Sequence, residues 1–102
     1  MVHMIVRITL VDGGASEYIE EYKRIVEEVK KEAGCIDYCL YLDHCDARFD
    51  NEKRENMVVF SEKWDSVDAI VRHSKSDLMK KFRERIAHLR VSSSYELLSP
   101  VQ

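Results

Sequence analysis

A chain of 102 residues, 45% hydrophobic and 34% charged, has the size and make-up of a single domain spanning 1–102, with enough apolar content for a core beneath a soluble surface. Its net charge of −3, with lysines and arginines scattered among acids, excludes the basic stripe that grips a phosphate backbone, so no nucleic-acid partner is expected. No stretch reaches the length of a membrane span, the N-terminus lacks a signal-peptide pattern, and the 3 cysteines are an odd number. A cytoplasmic protein with no membrane partner and no disulfide framework is the expectation.

Residues 4–11 read as a strand with Met4, Val6, Ile8 and Leu10 on one face and Ile5, Arg7, Thr9 and Val11 on the other. Asp12-Gly13-Gly14 breaks it, and Ser16 is a candidate N-cap for a helix over 17–33. Tyr18, Tyr22, Ile25, Val29 and Ala33 form that helix's inward stripe, widened by Ile19 and Val26, and Gly34 is suited to end it. A second strand over 35–43 sets Ile36, Tyr38, Leu40 and Leu42 against Cys35, Asp37, Cys39, Tyr41 and Asp43. Residues 44–56 are polar and highly charged and read as a long hairpin connection.

A third strand over 57–63 follows, and Asp65 or Ser66 caps a short helix that carries Val67, Ile70 and Val71 inward. His73 lies at its end, and Ser76-Asp77 starts a fresh helix burying Met79, Phe82, Ile86 and Leu89. Residues 91–98 form the last strand before Pro100. The order βαββαβ, with a broken second helix, predicts an α+β ferredoxin-like fold: a four-stranded antiparallel sheet with helices on one face. The run Met57-Val58-Val59-Phe60 and the mixed second strand leave apolar groups on both sheet faces. A second copy of the sheet is the economical cover, so a homodimer is expected.

The chemistry-bearing candidates lie around the third strand, where Phe60, Glu62 and Trp64 share a face. His73 at the helix break is a candidate general base or acid, or a structural histidine holding the break. Trp64 can wall a planar substrate or anchor the core, and Glu62 can orient a base or pair with a surface lysine. Tyr38 and Tyr95 can bring a hydroxyl to a pocket, whereas Tyr18 and Tyr22 fall on the core stripe. Cys35, Cys39, His44 and Cys45 do not converge on one tetrahedral ion, so no metal site is expected. There is no phosphate-binding glycine loop, no Gly-x-Ser-x-Gly and no His-Glu-x-x-His. The third strand lacks the glycines and basic start of RNA-recognition domains. Gly13 and Gly14 only superficially match the first turn of amino-acid-sensing domains of the ACT type.

Gly34-Cys35-Ile36-x-Tyr38-x-Leu40, then Phe60-Ser61-Glu62-x-Trp64-Asp65-Ser66-x-x-Ala69-Ile70-x-x-His73 and the closing Leu98-Ser99-Pro100, resemble the antibiotic biosynthesis monooxygenase-like family. The resemblance covers nearly all of residues 3–100. It implies a dimeric α+β barrel with a cavity in each subunit between sheet and helices. Members include cofactor-independent monooxygenases of quinol- or anthrone-like phenols and an isomerase of a phosphorylated sugar derivative. The haem-degrading branch matches poorly, with Val6 where it has an Asn and Arg83 where it has the haem-binding His. Asp77 stands where many members carry a second His, and Phe60 where the aromatic-polyketide oxygenases have an Asn.

The resemblance thus implies a cofactor-free oxygenase of an electron-rich aromatic, with dioxygen as co-substrate. Trp64, Phe60 and Tyr38 would bind the substrate, His73 would take or relay its proton, and Glu62 would orient His73 or a water. The alternatives are a non-catalytic dimeric ligand-binding or stress-related domain, and an isomerase of a small phosphorylated carbonyl compound that uses the same His for enolisation.

Overall fold

The computed structural model describes residues 1–102 as β1 (Val2–Leu10), α1 (Ala15–Lys30), β2 (Cys35–Tyr41), β3 (Met57–Trp64), α2 (Val67–Ser74), α3 (Asp77–Ile86) and β4 (Arg90–Leu98). The strands form one antiparallel sheet in the order β2-β3-β1-β4, the expected ferredoxin-like arrangement. The buried side chains of β1, β2 and β3 meet those of the three helices in a single core. Along β3 the burial alternates without a fault, so Val58, Phe60, Glu62 and Trp64 all face the helices.

Several element details depart from the sequence reading. α1 begins at Ala15 with Gly14 at its N-cap and no side-chain capping bond, so Ser16 does not cap it. It ends at Lys30 rather than Ala33, because Lys31 and Glu32 donate to the carbonyls of Glu28 and Val29, tightening the last turn to i→i+3 spacing. Gly34 then takes φ +87° and turns the chain into β2. In β2 the register slips between Cys35 and Asp37. Ile36 is thrown outward, 56% exposed, and Cys35 packs on the core in its place. Leu42, expected on the inner face, lies beyond the strand and is exposed.

The 44–56 connection holds itself together. Asp43 takes a two-pronged bond from the Arg54 guanidinium at 2.8 Å, Asn51 donates to the His44 carbonyl, and Asp46 caps a one-turn helix at Ala47–Phe49. Ser66 and Ser76 cap α2 and α3 through bonds from the Ala69 and Met79 amides, each 3.2 Å. α2 is rotated relative to the expectation: Val67 and Val71 are exposed, and Ala69, Ile70 and His73 are the residues it buries. Ala69 and His73 are four apart and Ile70 and His73 three apart, one face of the helix, and that face carries the imidazole into the core. All nine residues of β4 are exposed, among them Val91, Tyr95, Leu97 and Leu98.

Candidate active site

Between the sheet and α1–α3 lies a cavity of about 210 Å³. Two cross-strand rows make its floor. Met4, Glu62 and Tyr38 stand level on β1, β3 and β2, and Val6 and Phe60 stand level on β1 and β3 in the next inward row. Tyr18 from α1 and Met79, Phe82 and Ile86 from α3 close the other side. The space is below the roughly 300–1,000 Å³ usual for drug-sized ligands. A dry cavity of about 150 Å³ takes a benzene ring, so one substituted ring is the scale that fits.

Two buried ionisable groups face this apolar space. Glu62 is 4% exposed and His73 is 5% exposed, and both line the cavity. Glu62 Oε1 accepts the Trp64 Nε1–H at 3.0 Å and stands 4.0 Å from His73 Nε2. His73 Nδ1 lies 2.8 Å from Glu32 Oε2. A carboxylate oxygen accepts, so Nδ1 carries the hydrogen and Nε2 keeps its lone pair on the Glu62 side. The set is a chain: Glu32 in the half-buried turn after α1, His73 in the wall, Glu62 on the cavity floor.

Burial pushes the Glu62 carboxyl up to about 7; the Trp64 hydrogen bond works against that rise and the charge of Glu32 adds to it. Burial lowers the pKa of His73, against the hydrogen bond and charge of Glu32, and the Arg83 charge lowers it further. His73 is therefore neutral near pH 7 with Nε2 free to accept. Burial first, and then the nearby Glu62, hold the Tyr38 hydroxyl well above its usual pKa, so it remains a neutral donor. A base near its titration point beside a free imidazole nitrogen is the arrangement that proton abstraction requires.

Of the residues picked from sequence, Phe60, Tyr38, Glu62 and His73 come together on the cavity wall. Trp64 does not line the cavity. It is fully buried behind it, with its ring centroid 4.8 Å from that of His73 and its indole N–H on Glu62. Glu62 does not pair with a surface lysine; it is interior. Glu32 was missed because a helix over 17–33 sets it among that helix's polar positions. The signal available was Gly34, two residues on, which marks where the chain leaves helical geometry. Tyr18 serves both as core and as cavity wall, its ring edge-on to Phe82 at 5.6 Å. Cys35 and Cys39 are half-buried, Cys45 is exposed, and all three are free.

No helix is long and apolar enough to cross a membrane. Comparison with curated proteins found no match. Among solved structures, a Pseudomonas aeruginosa protein superposes with TM-score 0.81 at 23% identity, covering 99% of this chain and 94% of that one. A structure described as an antibiotic biosynthesis monooxygenase gives TM-score 0.80 at 21% identity over the full length of both chains. A Mycobacterium tuberculosis protein gives 0.79 at 20% identity, covering 99% and 95%. These likenesses establish the shared fold. The family model for antibiotic biosynthesis monooxygenase matches residues 1–85, which runs from β1 into the last turn of α3 and takes in Glu32, Glu62 and His73; the chain belongs to the antibiotic biosynthesis monooxygenase family.

Proposed function

We propose that this protein is a cofactor-independent monooxygenase of a small, electron-rich phenol or quinol. The observation that carries the reading is the pairing of Glu62 and His73, two buried ionisable groups 4.0 Å apart, on the wall of an apolar cavity sized for one ring. The substrate ring lies against Phe60 and Tyr38. His73 Nε2 takes the phenol proton, Glu32 holds the resulting imidazolium from behind, and ionised Glu62 faces its new N–H. The phenolate passes one electron to dioxygen, and the substrate radical and superoxide couple to form a C–O bond. His73 returns the proton to give a hydroperoxide, which loses water to leave a carbonyl. One oxygen atom ends in product and one in water, and the electrons come from the substrate. The protein contributes orientation, water exclusion and proton handling. Trp64, by holding both Glu62 and His73, is a positioning residue.

The measurement is oxygen uptake with a panel of quinols and anthrone-type phenols, comparing the parent protein with His73→Ala. Uptake that needs His73 is expected, and no uptake across the panel sinks the reading. The competing reading is a binding domain without turnover, favoured by the Glu32 bond that fixes His73 as a structural residue in the core. Binding of the same panel with no oxygen consumed would select it.

We further infer a homodimer. The supporting observation is β4, an edge strand whose nine residues are all exposed, Tyr95 by 74%. Tyr41 and Leu98 add exposed apolar area on the sheet face away from the helices. Sedimentation at micromolar concentration is expected to give twice the chain mass; a monomer there contradicts the inference.

A further inference from the structure

We propose that Arg83 and Arg90 form an anion-recognising rim at the cavity mouth, so that the substrate is an aromatic carrying a carboxylate or phosphate opposite the group that faces His73. The inward orientation rests on the oxygenase reading; the rim does not.

Among the residues lining the cavity, Ser74, Arg83, Arg90 and Ser93 are the exposed ones, which sets them at its opening. They come from the end of α2, from α3 and from the start of β4, so the two guanidinium groups approach from different elements. Short bonds tie both side chains there. Arg83 Nη2 donates to the Ser74 carbonyl at 2.7 Å, and Arg90 donates from Nε and Nη2 to Ser93 Oγ at 3.2 and 2.8 Å. A guanidinium has five N–H donors, so each keeps several free.

Their lack of an acidic partner sets them apart. Arg7, Arg24, Arg48, Arg54 and Arg85 each stand within ion-pair distance of a carboxylate. Arg83, Arg90 and Arg72 do not, and Arg72 is not on the cavity. In a chain with 19 acids against 16 basic residues, two arginines without an acidic partner both stand at the mouth of an apolar pocket. Both charges are felt inside it: the Arg83 charge helps lower the pKa of His73, and the Arg90 charge opposes the rise that burial and Glu62 impose on Tyr18.

The chemistry of the walls then fixes the orientation. An acidic group pushed inward would meet the Glu62 carboxylate and the apolar side chains of Phe60, Phe82 and Met79. At the rim it meets two planar forks that match carboxylate or phosphate oxygens in pairs. The ring enters, the acid stays outside, and the hydroxyl para to it is delivered toward His73 and Glu62.

The test is calorimetric titration of the full chain with para-hydroxyphenylacetate, para-hydroxyphenyl phosphate and the neutral para-hydroxyphenylacetamide. At least one acid is expected to bind about tenfold more tightly than the amide, the scale of a charge-assisted contact, and whichever acid binds tighter identifies the anion. The preference is expected to weaken as salt is raised. In the Arg83→Gln/Arg90→Gln variant it should shrink to within about twofold, with amide affinity retained. Because Arg90 lies on the β4 edge, an unchanged melting temperature and an unchanged sedimenting mass check that the variant folds and assembles as the parent does. Equal affinity for acid and amide, a preference that survives the double substitution, or no binding by any of the three overturns the rim. Oxygen uptake on the same samples separates the two readings. An acid preference with no uptake by these phenols or by the quinol and anthrone panel leaves the rim and removes the oxygenase; uptake without a preference removes the rim alone.

Discussion

Glu62→Gln is expected to lower turnover by roughly 100-fold, the scale of losing one preorganised charge beside a cation formed in the reaction. The glutamine keeps an oxygen for the Trp64 Nε1–H, so the fold survives while the negative charge facing His73 is gone. The pH profile makes the test specific. The carboxyl is pushed up to about 7, so parent activity should climb as pH rises through that value and the ionised form accumulates; the variant should lack the step. Equal rates, or the same step in both proteins, remove Glu62 from the mechanism.

The same substitution has a stability signature whose sign follows from linkage. The folded protein holds the Glu62 proton up to about pH 7, whereas the unfolded chain releases it near the ordinary 4.5. Between those values the folded state binds more protons, so stability falls as pH rises, by about 3 kcal/mol once the window is crossed. Glu62→Gln removes that loss: the variant should melt higher than the parent at pH 8 and alike at pH 4. His73 acts on the other side. Its pKa is lowered, so the unfolded chain takes up a proton first as pH falls below the ordinary 6.5, and stability declines toward acid. The two slopes oppose each other between about pH 4.5 and 6.5, and above 6.5 the Glu62 loss alone remains, so the parent is past its stability maximum at neutral pH.

Gly34→Ala is expected to destabilise the protein by about 4 kcal/mol, combining a strained left-handed backbone with an overpacked contact. The residue sits at φ +87°, and an added Cβ would lie 2.5 Å from Asp65 Oδ1 and 2.7 Å from the Ala69 Cβ. The Ala69 contact is the one that cannot give, since the Asp65 carboxylate is an exposed side-chain end. The Asp65 amide donates to the Gly34 carbonyl at 2.8 Å, and Ala69 is buried on α2. For a domain of this size the melting temperature should drop by roughly 15–30 °C. Gly13→Ala is the control, since it shares a positive φ, +73°, with nothing within 4 Å of the added carbon. A similar shift for both would mean that backbone strain alone matters at Gly34.

Strand and helix order, the Ser66 and Ser76 caps and the shared face of Phe60, Glu62 and Trp64 were legible because each depends on local periodicity or on a residue type with one strong local use. What was not legible depends on contacts between distant segments. The tightened end of α1 swings Glu32 to a histidine 41 positions away, and no repeat in the sequence encodes that meeting. The slip at Ile36 exchanges which of two neighbours faces inward, and an alternating pattern gives no warning of it. The rotation of α2 had a readable cause in retrospect: Val67 and Val71 compete with Ala69 and Ile70 for the core. The small Ala69 wins because it must pass close to Gly34.

Trp64 gives the chain one further property. It is the sole tryptophan, its indole N–H rests on Glu62, and its ring lies against His73. The tryptophan emission of the protein, excited selectively beyond the tyrosine absorption, thus comes from a single fluorophore in contact with both groups that handle the proton, shielded from solvent. A change of charge on either one, whether brought by pH or by a ligand in the cavity, is translated into light without any label being added.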